Sequence, residues 1–79
     1  MINETELAAL TEAVMNAATD VGFHTLRRER LFAALEALDA AARVDDTDPD
    51  WPIIFRAVSR MFDEAKANER DARAHLASL

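Results

Sequence analysis

The chain has 79 residues, a formal net charge of −6 and no cysteine. That length makes one small domain, whose folding covers only roughly 60 % of the surface its unfolded form exposes. With no cysteine, a disulfide framework and a thiolate-based zinc or redox site are excluded. No apolar run approaches the ~18 residues of a membrane span. The opening "MINETELAAL" is acidic where a signal peptide needs a basic region, so a cytoplasmic protein is expected. One glycine and two prolines leave little turn material, which points to an all-α domain with few elements.

In chain order, a first helix is expected over about residues 4–21. Asn3 and Glu6 stand at the two positions of a capping box, and Ile2 with Leu7 offers a hydrophobic staple. Leu7, Leu10, Val14, Ala17 and Val21 then recur at alternating spacings of three and four, which draws one apolar stripe. Gly22, the sole glycine, is expected to end this helix, with Phe23 folded back on its last turn. A second helix follows over about 26–42, with Leu31, Leu35, Leu38 and Ala42 as its stripe. The run "RVDDTDPDWP" breaks the chain again. Asp48 or Asp50 is the expected cap of a third helix over about 50–77, with Pro49 or Pro52 in its first turn. That helix carries Ile54, Phe55, Val58, Met61, Phe62 and Ala65, then a thinner stripe of Ala72, Leu76 and Leu79.

The expectation is therefore one domain over 1–79, an antiparallel three-helix bundle. Its third helix, longer than the others, would leave its last ~10 residues uncovered at a rise of 1.5 Å per residue. A second copy would cover them, with Ala72, Leu76 and Leu79 at a dimer interface inside a larger helical bundle.

Chemistry is sparse. Asp46, Asp48 and Asp50 match the first, third and fifth ligands of a calcium loop. The sixth position, which needs glycine, is Trp51, and the twelfth, which needs glutamate, is Ala57, so no tight calcium site is expected. His24 opens "HTLRR", similar to the run around the phosphorylatable histidine of phosphotransfer bundles. That histidine projects from the middle of a helix, whereas His24 is expected in a turn just past Gly22. Asp71 and His75 share a helix face but lack the further ligands a bundle metal site needs. One glycine makes no phosphate-cradling loop, and Ser59 has no histidine nearby in sequence. No catalytic residue, metal ligand or cofactor site is assigned, and no enzyme is expected.

Charge placement is more informative. Residues 1–25 hold Glu4, Glu6, Glu12 and Asp20 and no base, while "RRER" puts Arg27, Arg28 and Arg30 together. In the first turn of a helix such arginines oppose the backbone dipole, so they are expected to serve a purpose. The expected purpose is a protein interface, either with a second copy or with another protein. Arg28, Arg30, Asp46, Asp48 and Trp51 are the candidate contact residues, with Arg27 turned inward against the bundle. The function expected is a small non-catalytic adaptor, regulator or inhibitor that covers a partner's surface. Two alternatives remain open. One is a nucleic-acid-associated regulator using Arg27, Arg28 and Arg30. The other is an acidic decoy of nucleic acid presenting Glu4, Glu12, Asp20 and the Asp45–Asp50 loop.

Overall fold

The computed structural model describes residues 1–44 and 47–79. It contains two helices, α1 (Glu4–Val44) and α2 (Trp51–Ser78), and no strand among the described residues. The three-helix expectation is therefore corrected: the segments expected as the first and second helices are one continuous helix of 41 residues. The hairpin they form with α2 is a rod of 66 × 14 × 14 Å.

The correction turns on Gly22. It keeps helical dihedrals without a positive φ, and α1 runs through it. A glycine inside a helix costs roughly 1 kcal/mol relative to alanine. Ending the helix there would instead strand new terminal amides and carbonyls and release one half of α1 from α2. The smaller cost is accepted. Sequence phase agrees, because Leu10, Val14, Ala17, Val21, His24, Arg28, Leu31, Leu35, Leu38 and Ala42 alternate spacings of four and three without a slip. This heptad repeat keeps one face of α1 on its neighbour. In α2 the matching series is Trp51, Phe55, Val58, Phe62, Ala65, Glu69, Ala72, Leu76 and Leu79.

The expected start of α1 is present. The Asn3 side chain accepts from the Glu6 amide at 2.8 Å, and Glu6 accepts from the Asn3 amide at 3.4 Å. The Leu7 amide donates to the Asn3 carbonyl at 2.9 Å, closing the first turn. At α2 the N-cap position is Asp50, whose side chain makes no cap bond, and Pro52 falls in the first turn. Asp48 instead accepts from the Asp50 amide at 2.9 Å, bracing the turn ahead of the helix.

The core is a single seam. Among the described residues only Ala17 and Ala65 are fully buried, at 2 % and 0 % exposure. Val21, Leu31, Leu35 and Leu38 of α1 and Trp51, Val58, Phe62, Ala72 and Leu76 of α2 are half-buried. Phe32 and Phe62 meet between the helices in a tilted contact with centroids 5.8 Å apart, and the Lys66 ammonium lies 4.9 Å over the Phe62 ring.

The position of the unpaired end is also corrected. The last residues of α2 do not overhang, because Ala72 and Leu76 are half-buried in the hairpin. The free end is the start of α1, which is 13 residues longer than α2, or about 20 Å. Every residue from 4 to 12 is exposed.

Candidate interaction surface

Midway along the rod the seam turns polar. Arg28 and Glu69 occupy seam positions of their two helices, and the Arg28 Nε–H lies 3.0 Å from one Glu69 carboxylate oxygen and 3.1 Å from the other. Their side chains are 30 % and 14 % exposed. Arg73 reaches the same carboxylate at 3.8 Å and donates to the Thr25 hydroxyl at 3.2 Å. A hydrogen bond with Thr25, followed by the Arg28 bond and the two positive charges, holds the Glu69 carboxyl below its ordinary value of 4.5 against the opposing effect of burial. His24 lies one turn away in the same seam, in the middle of α1 and not in a turn. Its Nδ1 is buried without a hydrogen-bond partner among the described residues.

This layer redistributes the arginines. Arg28 is held inside the hairpin, whereas Arg27 and Arg30 are exposed and have no ion pair among the described residues. Arg27 thus faces outward, contrary to the expectation that it lies against the bundle. The cause is phase: Arg28 lies three residues before Leu31 and seven before Leu35, which puts it on the seam itself. Arg27 and Arg30 instead rim an open groove of about 290 Å³, whose floor is Phe23, Leu26, Leu31 and Met61. Phe23 and Leu26 in that groove are largely exposed, at 60 % and 46 %.

A second apolar surface runs along the overhang. Leu7, Ala8 and Met15 line a shallow channel with Glu4, Glu12 and Thr11, every one of them on α1. Leu7, Leu10 and Val14 continue the heptad seam here with no α2 opposite them, and Leu7 is 55 % exposed.

The remaining sequence candidates are scattered. Trp51 lies at the turn end of the rod beside Ala42, about 20 Å along α1 from Arg27 and Arg30. It lines a pocket of about 330 Å³ with Leu38, Ala42 and Phe55, and its Nε1–H is buried without a partner among the described residues. Asp48 is exposed beside it, and Asp46 lies outside the described residues, as does that part of the suggested calcium loop. Ala72 and Leu76 face α1, while Leu79 is 44 % exposed at the end of α2. Sequence reasoning missed the groove at Phe23, Leu26 and Met61, since a turn at Gly22 leaves no continuous helix to carry it. Among the described residues there is no group of three side chains able to hold a metal ion, and no helix long and apolar enough to cross a membrane. No protein-family model, curated protein or solved structure matches the chain.

Proposed function

We propose that this protein is a non-catalytic helical docking module, an adaptor, regulator or inhibitor that works by covering the surface of another protein chain. The observation that supports this most directly is the apolar seam of Leu7, Leu10 and Val14, which keeps its heptad spacing for two turns beyond the reach of α2. A heptad stripe on a surface helix is the pattern that inserts between the side chains of a facing helix. The nucleic-acid alternative is weakened because Glu69 engages Arg28, leaving Arg27 and Arg30 as the exposed pair of that cluster. Two arginines on a chain of net charge −6 make a small basic footprint.

The test is a photo-reactive side chain placed at Leu10 and, as a control, at the exposed Asp63. A protein adduct formed in cells from position 10 and not from position 63 is expected. Equal labelling from both, or none from either, overturns the reading.

A further inference from the structure

The chain exposes 6086 Å². A compact monomer of its mass, 8.8 kDa, exposes about 4,800 Å² by surface scaling. The excess of roughly 1,300 Å² is larger than the ~800 Å² each partner buries in a standard stable interface. Large apolar side chains are exposed on the overhang, at Leu7, Leu10 and Met15, and in the groove, at Phe23, Leu26 and Met61, and these two surfaces are complementary in charge. The overhang is apolar and acidic, with Glu4, Glu6 and Glu12 and no base. The groove is apolar and basic, rimmed by Arg27 and Arg30, which have no ion pair among the described residues.

Within one chain the two surfaces lie on the same straight helix and cannot meet. We propose that they meet between two copies: the Glu4–Asn16 segment of one chain docks antiparallel into the Arg27/Arg30 groove of the other, and the reverse contact forms at the same time. This deepens the docking reading by naming its partner as a second copy. Pairing residues 4–12 of one α1 with 24–32 of the other puts the two-fold axis level with Ala18, which is exposed. Each overhang then becomes a third helix beside α1 and α2 of its partner. The contact is isologous and closed, so assembly stops at two.

Two charge-reversed variants test this. Arg27→Glu/Arg30→Glu makes overhang and groove both acidic, and Glu4→Lys/Glu12→Lys makes both basic. Neither pair touches the Arg28–Glu69 layer, and circular dichroism should show wild-type helicity for each. Sedimentation is expected to give a wild-type dimer with a micromolar dissociation constant. Each variant alone should dimerise at least tenfold more weakly. A 1:1 mixture restores opposite charges at both contacts and should return to within about threefold of wild type. Loss without recovery in the mixture, or dimerisation of the variants at wild-type strength, overturns the proposal. So does a wild-type chain that remains monomeric at about 100 μM, two decades above a micromolar dissociation constant. That last result would leave the docking reading standing if Leu10 still photo-labels a different protein.

Discussion

Gly22 weakens a helix it does not interrupt. Its φ is not positive, and a Cβ built on it meets nothing within 4 Å. Gly22→Ala removes backbone freedom from the unfolded chain without a clash. It should raise stability by about 1 kcal/mol, seen as a melting temperature roughly 4–8 °C higher. Glu69 is the opposite kind of residue, a charge kept in a seam by its partners. Because its folded pKa lies below 4.5, ionised Glu69 contributes stability above that value and loses it as pH falls through the lowered folded value. Glu69→Gln should therefore melt earlier than wild type near neutrality. The gap between the two should close as pH is taken from about 5 toward 3, which thermal melts across that range would measure.

At the scale of elements, the rod has a paired part and an unpaired part. Leu35 is half-buried against α2, and Leu35→Ala should lower stability by about 1–2 kcal/mol, less than the ~2–5 of a fully enclosed leucine. Leu7→Ala removes the same atoms from a side chain with nothing opposite it. At concentrations low enough to keep chains apart it should change stability by less than ~0.5 kcal/mol in denaturant titrations. Equal costs for the two would show that the overhang is not free. Much of this arrangement was legible beforehand. The Asn3–Glu6 cap, the all-helical class and the start of a helix beside Asp50 and Pro52 follow from local chemistry. The continuity of α1 was obscured because Gly22, His24 and Arg28 fall together and resemble a turn. The corrective signal lay in register: the stripes before and after Gly22 share one heptad phase, which an intervening turn has no reason to preserve. The Arg28–Glu69 pair follows once that phase is accepted, since each residue interrupts its own stripe at a seam position.

As a whole molecule, the hairpin is extended for its size. Its radius of gyration is 18.8 Å, against about 12 Å for a compact domain of this length. Small-angle scattering at low concentration should return the longest dimension of 66 Å. The reciprocal dimer overlaps two rods over roughly 28 residues, or about 42 Å, so its longest dimension should grow to about 90 Å on concentration. A dimer that keeps the monomer's length would instead have its rods fully side by side.

The one connection between α1 and α2 also dictates how the chain closes. Trp51 and Ala42 are near neighbours in sequence, and joining them costs little loop entropy. Arg28 and Glu69 are 41 residues apart, and Thr25 and Arg73 are 48 apart. Pairing should therefore start at the turn and zip outward, each closed heptad shortening the loop left for the next. The polar layer is reached when the apolar half has already set the register, so a slipped pairing is rejected late by an unpaired Arg28 or Glu69. Opening should run in reverse, from the Leu79 end inward, so amide exchange is expected to be slowest beside the Trp51 cluster.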